Sequence, residues 1–237
     1  MTTRYRKFEF QLQDRPIGAD QAGPSIIGTG GKCLVTAAGD PAKATLYDKD
    51  GAALANPISL SQGRGEFYTL DTISAVDLFI LTGEAWSVQL WSVEADALHL
   101  VPVDRSNRQQ MLIFPFSIDD QVTDNTEVDT GLDLIVGMVM QPFPYVEVVT
   151  IDAGETVSVG TGEVVPADGG DADGFVSLLS VATAGLVADT NGALLNAVEY
   201  IAPADSLTWT LSAGSDTAEG YVFLPYRNLV TDTPTIT

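Results

Sequence analysis

The sequence predicts an all-β protein of two β-sandwich or barrel modules, jelly-roll-like, with short loops and minimal helix. Three observations carry this. Apolar and polar residues alternate with period two, most cleanly at 5–13 and 206–212, as strands with one buried face do. Short apolar runs recur along the chain, separated by clusters of Gly, Pro, Asp and Asn that favour tight turns. Helical spacing is confined to ALLNAVEY at 193–200, where Leu194, Leu195 and Val198 would share one side of a single turn.

In order along the chain, Phe8, Phe10 and Leu12 oppose Lys7, Glu9, Gln11 and Gln13 in a half-buried strand or an arm. Residues 14–25, rich in Pro, Gly and Asp, read as an extended loop. GTGG at 28–31 lacks the GK[ST] and following helix of a phosphate loop and reads as a turn leading into a strand. Strands are then predicted at 32–37, 44–47, 57–60, 65–70, 76–81, 87–93 and 99–103. Asp48-Lys49-Asp50-Gly51 and Thr82-Gly83-Glu84 supply turn chemistry between them. DRSNRQQ at 104–110 is the clearest polar break. Beyond it come strands at 111–116, 132–140, 146–152, 156–160, 174–182, 206–212 and 220–225, with an acidic exposed loop at 119–129. GYVFLP at 220–225 is apolar on both faces, as a central strand is. The organisation expected is an N-terminal arm or strand at 1–15, a β domain at 16–104, a linker at 105–110, an acidic β domain at 111–230 and a polar tail at 231–237.

With 237 residues there is room for two domains of about 100–120 residues each. The net charge of −21 is unevenly placed. Residues 1–108 hold ten Lys/Arg against thirteen Asp/Glu, whereas 109–237 hold Arg227 alone against nineteen acids. Such a surface does not suit nucleic acid, whose phosphates need basic partners. The asymmetry suggests a near-neutral half that docks and an acidic half that faces solvent, or simply acids that keep a β-rich chain soluble. No run approaches the roughly 18 apolar residues of a membrane span. The opening MTTRYRKFEFQLQ has no apolar segment of the signal-peptide kind, which predicts a soluble product made in the cytoplasm.

Sites are few. Arg4, Arg6 and Lys7 form the densest basic cluster; with Phe8 and Phe10 they are the candidate contact residues for a partner, or else a solvated terminus. In GGDADG at 169–174, Asp171 and Asp173, with Asp168, could offer oxygens to Ca²⁺, but a tight turn explains the motif as well. Asp216 and Glu219 read the same way. Asp48 and Asp50 echo the start of a calcium loop without its later ligands. Cys33, the only cysteine, excludes an intrachain disulfide and suits a buried position. His99, the only histidine, has no metal-ligand spacing around it. No serine sits in a G-x-S-x-G elbow. Trp86, Trp91 and Trp209 could form a sugar-stacking platform or belong to the core. No catalytic residue and no cofactor is expected.

Four C-terminal segments, DTGLDLI (129–135), VEVVTIDAGETVSVGTG (146–162), GDADGFVSLLSVATAGLVA (170–188) and SAGSDTAEGYVFLPYR (212–227), resemble tailed-bacteriophage head decoration or cement proteins. KATLYDKDGAALANPISLSQGRGEFY (43–68) followed by VDLFIL (76–81) has a related flavour. The resemblance implies β-rich modules bound to the outer surface of a phage capsid. It implies the major capsid protein as partner, self-association as a trimer, a location on the virion and a non-enzymatic, shell-stabilising role. A tail- or vertex-associated module that binds host-surface glycans is the alternative.

Overall fold

The computed structural model describes residues 4–14, 30–103, 110–123, 126–136, 138–162, 171–188, 192–195, 200–201 and 205–228. Of these residues 61% lie in strands and 3% in helix, so the protein is all-β. The strands of the first half are β1 (Tyr5–Asp14), β2 (Gly31–Ala37), β3 (Leu46–Tyr47), β4 (Ala53–Leu54), β5 (Ile58–Ser59), β6 (Arg64–Leu70), β7 (Ala75–Thr82), β8 (Ser87–Glu94) and β9 (Leu98–Val103). The second half contributes β10 (Gln110–Ser117), β11 (Val128–Leu134), β12 (Met138–Met140), β13 (Tyr145–Thr150), β14 (Thr156–Thr161), β15 (Val176–Ser180), β16 (Gly185–Ala188), β17 (Tyr200–Ile201), β18 (Asp205–Leu211) and β19 (Glu219–Asn228). Two single turns of 3₁₀-helix lie at Ile118–Asp120 and Ala193–Leu195.

Four sheets form two sandwiches. Sheet I has the order β4-β3-β6-β1-β9 and sheet II the order β5-β2-β7-β8. Sheet III runs β16-β13-β19-β12-β17, with β10 also paired to β19, and sheet IV runs β11-β18-β14-β15. Between sheets I and II lies one core, in which Phe8, Phe10, Leu12 and Phe67 meet Cys33, Val35, Val76, Leu78 and Ile80. Phe8 stacks on its cross-strand neighbour Phe67 with ring centroids 5.3 Å apart. Burying such a ring contributes about 2–3 kcal/mol. Between sheets III and IV lies the other core, built on Trp209, Phe114, Phe116, Leu224, Val146 and Val159.

β7 is buried along nearly its whole length, and this joins the two sandwiches. Its Val76, Leu78 and Ile80 face sheet I, while Phe79 and Leu81, with Leu34 of β2, belong to the core of sheets III and IV. The second face of sheet II packs on β10 and β11, edge strands of sheets III and IV. Tyr226 locks the contact: its hydroxyl donates to the Ala85 carbonyl (2.9 Å), accepts from Ser87 N–H (2.9 Å) and meets the Gln110 amide oxygen. Burial pushes the Tyr226 phenol far above its ordinary pKa, so it stays protonated. Gly131 is at φ 75°, and a Cβ there would lie 2.3 Å from Pro57 Cγ; only glycine lets β11 approach that proline.

Several expectations are refined. β1 is not an arm but the strand between β6 (antiparallel) and β9 (parallel) in sheet I. The apolar run 132–140 is not one strand: β11 ends at Leu134 in sheet IV and β12 begins at Met138 in sheet III, so the chain changes sheets there. β19 is central as expected, with β10, β12 and β13 as partners. The 119–129 loop is not wholly exposed, because Gln121 is buried and exchanges hydrogen bonds with the backbone of Leu211 (2.8 and 3.2 Å), acting as an extra rung beside β18. The linker, apart from Gln110, and residues 15–29, 163–170 and 229–237 lie outside the described residues.

Tyr226→Phe should lower stability by about 1–2 kcal/mol. Ser87 N–H keeps Gln110 as a partner and Ala85 keeps Asn228, so the loss is at the lower end for a buried hydrogen bond. Because each sandwich completes the other, urea unfolding followed by far-UV circular dichroism and by tryptophan fluorescence should give one coincident transition. Two separated transitions would show that the shared core does not couple them.

Candidate functional site

The predicted N-terminal contact cluster divides into core and surface. Phe8 and Phe10 are 1% exposed; period-two alternation turns them inward, and neither can touch a partner of the folded chain. Arg6 Nε donates to the Asp71 carbonyl (3.0 Å), and the Arg4 carbonyl accepts from Asp71 N–H. Lys7 Nζ lies 2.7 Å from Glu9 and 3.3 Å from Glu66, and Arg64 pairs with the same two carboxylates. The register explains this network: Glu9 stands directly opposite Glu66, a repulsive pair that the two cations neutralise. The hydrogen bond from Lys7 holds the Glu9 carboxyl below its usual range, and the same bond raises Lys7. Of the basic cluster, Lys7 is therefore compensated by carboxylates, while Arg6 is held by a backbone carbonyl.

What remains outward on sheet I is a near-neutral face. Tyr5 and Tyr47 pack at 4.9 Å, with Tyr68 opposite Tyr47 and Leu70 opposite Tyr5. Beyond the ion network, the edge strand β9 exposes Leu98 and Leu100 at 56% and 58%. Tyrosines and leucines around a compensated polar centre make this a weakly charged, partly apolar surface.

The acidic turns are built as structure. The Thr161 hydroxyl accepts from Asp171 N–H (3.0 Å), the Asp171 carbonyl accepts from Thr161 N–H (2.9 Å), and Asp173 accepts from the Ser177 hydroxyl (2.8 Å). That last bond holds Asp173 below the usual carboxylate range. A Cβ on Gly160 would lie 1.8 Å from the Asp171 carbonyl oxygen, so β14 needs glycine for this turn to lie against it. Among the described residues no group of three or more His, Cys, Asp or Glu is placed to hold a metal; Asp168 lies outside them. In the other turn Asp152, not Asp216, is the organising acid. It accepts from Asp216 N–H (2.6 Å), Thr217 N–H (3.1 Å) and the Ser215 hydroxyl (3.1 Å), which together lower its pKa. Glu219 accepts from Thr150 (2.9 Å) and Ser117 (3.2 Å) hydroxyls. Asp48 accepts from Asp50 and Ala52 N–H in its own hairpin turn.

Cys33 is fully buried, and burial pushes its thiol far above the ordinary value. His99 lies on β9 with Nε2 donating to the Glu94 carbonyl (2.9 Å). The tryptophans do not form one platform: Trp86 and Trp209 are buried, and Trp91 is 49% exposed. Trp91 packs instead on Phe79 and Tyr221, both at 5.3 Å. Sequence periodicity missed this placement, because a bulge in β8 shifts its register with β7.

A groove of about 360 Å³ opens between sheet II and β11, lined by Lys32, Ser59, Leu60, Thr82, Leu132 and Asp133. A Lys32–Asp133 ion pair at 3.0 Å occupies its polar side. The Thr82 hydroxyl accepts from Glu84 and Trp86 N–H and is committed to its turn. Nothing there pairs a nucleophile with a base. Among the described residues, no helix is long and apolar enough to cross a membrane.

If Asp152 is a turn-holding acid, Asp152→Asn should destabilise the protein most at neutral pH. A lowered carboxyl pKa stabilises the fold above the unfolded value, 3.8, and that contribution is lost as pH falls through the folded value. The gap between parent and variant in urea unfolding should therefore shrink from pH 6 to pH 3; a constant gap would assign the loss to packing alone. No protein-family model, curated protein or solved structure matches this chain.

Proposed function

We propose that this protein is a non-enzymatic structural protein of a tailed-phage virion, bound to the outer capsid surface as a decoration or cement protein through the outer face of sheet I. The observation that carries the docking geometry is the contrast between that face and the rest of the molecule. The sheet I face balances Lys7 and Arg64 against Glu9 and Glu66 and exposes Tyr5, Leu98 and Leu100. Residues 109–237 carry nineteen acids against one arginine. A neutral, partly apolar face docks with little desolvation cost, while the acidic half repels its own kind and stays in solvent.

Identity as a phage protein is supported by the segment resemblance in both halves. The capsid protein as partner, a trimeric state and the virion location belong to this same reading. A rigid double sandwich suits the role, because a molecule that binds only the assembled shell stabilises it by mass action. The half-exposed Trp91 is the observation that favours the alternative, a tail or vertex module stacking on host glycans.

Quantitative mass spectrometry of purified particles tests the reading: a copy number near that of the shell protein, or a fixed fraction of about a third or more, fits decoration. A handful of copies would favour the tail or vertex, and absence would remove the virion role. The docking face needs its own test, because truncating residues 1–15 would remove the interior strand β1 from between β6 and β9 and disrupt sheet I. The double substitution Leu98→Asp and Leu100→Asp at exposed positions should lower particle occupancy about tenfold, as loss of about 1.4 kcal/mol of contact energy does. Thermal unfolding should change little; unchanged occupancy would exclude this face.

A further inference from the structure

A second surface lies where the two sandwiches meet. Between Leu78–Leu90 and Val76–Val93 the register of β7 and β8 shifts by one residue. Ser92 takes φ 51°, an unfavourable conformation for serine that such a bulge imposes. The bulge sets Trp91 against Phe79 of its own half and Tyr221 of the other, edge to face, while leaving it half open to solvent. It also turns Ser92 N–H onto Asp77 (2.7 Å), which accepts a second bond from Gly39 N–H (2.9 Å). Asp77 is thus a buried carboxylate held by two backbone donors.

The charged groups that act on Tyr221, the tyrosine on which this tryptophan packs, are all acidic. Glu147 is the direct cross-strand neighbour of Tyr221. Burial first, and then the charges of Asp77, Glu147, Asp40 and Glu219, raise the Tyr221 phenol to about 12. Among the described residues no cation forms an ion pair with any of these four acids. Lys43 is engaged elsewhere, donating from Nζ to the Asp129 carbonyl (3.0 Å) and from its backbone N–H to Asp120 (3.3 Å).

We infer that Trp91, Tyr221 and Glu147 form a docking point for an arginine or lysine side chain of a partner protein. The cation would stack on the tryptophan and meet the Glu147 carboxylate beside Tyr221. An aromatic ring in an uncompensated negative field attracts cations through both its quadrupole and the neighbouring charges. A positioned carboxylate adds a hydrogen-bond acceptor for guanidinium or ammonium. The surface is distinct from the outer face of sheet I, and the inference does not depend on a virion role.

The test uses the full chain and tetra-arginine amide at about 0.15 M salt, where diffuse surface attraction is screened beyond about 8 Å. Binding is measured by calorimetry and by tryptophan fluorescence, which reports Trp91 because Trp86 and Trp209 are buried. Trp91→Leu should weaken binding about fivefold or more, and Glu147→Gln about threefold, consistent with a cation–π contact and one charge-assisted bond. Asp50→Asn, in the distant β3–β4 turn, should leave it unchanged. No binding by the parent, parent-like affinity in both site variants, or an equal loss in Asp50→Asn would each overturn the proposal. Circular dichroism on every variant separates loss of binding from loss of fold.

Discussion

The structure depends on sheet II having no solvent face. An ordinary sandwich strand buries every second residue, but β7 gives Val76, Leu78 and Ile80 to one core and Phe79 and Leu81 to the other. Were the C-terminal sandwich absent, Leu34, Phe79 and Leu81 would form an exposed apolar patch of the kind that drives aggregation. Were the N-terminal sandwich absent, β10 and β11 would present bare edges. The polar contacts follow from this burial. Tyr226, Lys32 with Asp133, and Lys43 with the Asp129 carbonyl all cross between the halves around the apolar plug. Burial lowers the Lys43 pKa and raises that of Asp120, so at this contact desolvation outweighs their attraction.

An acidic half with one arginine has few cations of its own for its carboxylates; Asp133 borrows Lys32 from the other half, and others are held by backbone N–H groups and hydroxyls. Asp152 gathers three donors from the β18–β19 turn, Asp129 accepts from Gly131 N–H (2.7 Å), and Glu219 takes two hydroxyls. Asp152 thus closes a turn, Asp129 holds the irregularity in β11, and Glu219 ties β19 to its two neighbouring strands. The same arrangement makes the fold sensitive to acid, because Asp152 and Asp173 contribute only while ionised.

Local patterns were legible and long-range register was not. Alternation at 5–13 and 206–212 correctly gave β1 and β18, and the two-sided apolar run at 220–225 correctly gave a central strand. The short strands β4 and β16 were not distinguished from turns, since Ala53–Leu54 and Gly185–Ala188 are too short for a period to show. Within the basic cluster Lys7 looked free only because the sequence does not reveal that β6 lies alongside β1 and brings Glu66 beside it. Trp91 escaped for a similar reason. Its outward turn comes from one extra residue in a pairing of β8 with β7, and no single-strand pattern encodes a bulge.

The proposed docking face has a size that bears on how it would act. Five strands about 4.8 Å apart, the longest near 30 Å and two of only two residues, offer a flat footprint of a few hundred Å². A stable one-to-one interface needs about 800 Å² per partner. One copy on one subunit would therefore bind weakly, and charges confined to a compensated centre would add little steering. Such a face becomes effective where copies or contacts are repeated on a lattice, since linked weak contacts raise avidity without new chemistry. The same reasoning assigns different work to the two surfaces. A broad neutral face suits repeated, shape-driven contact, whereas a single tryptophan in an acidic field suits one specific cationic anchor; they lie on different sheets and can be occupied together.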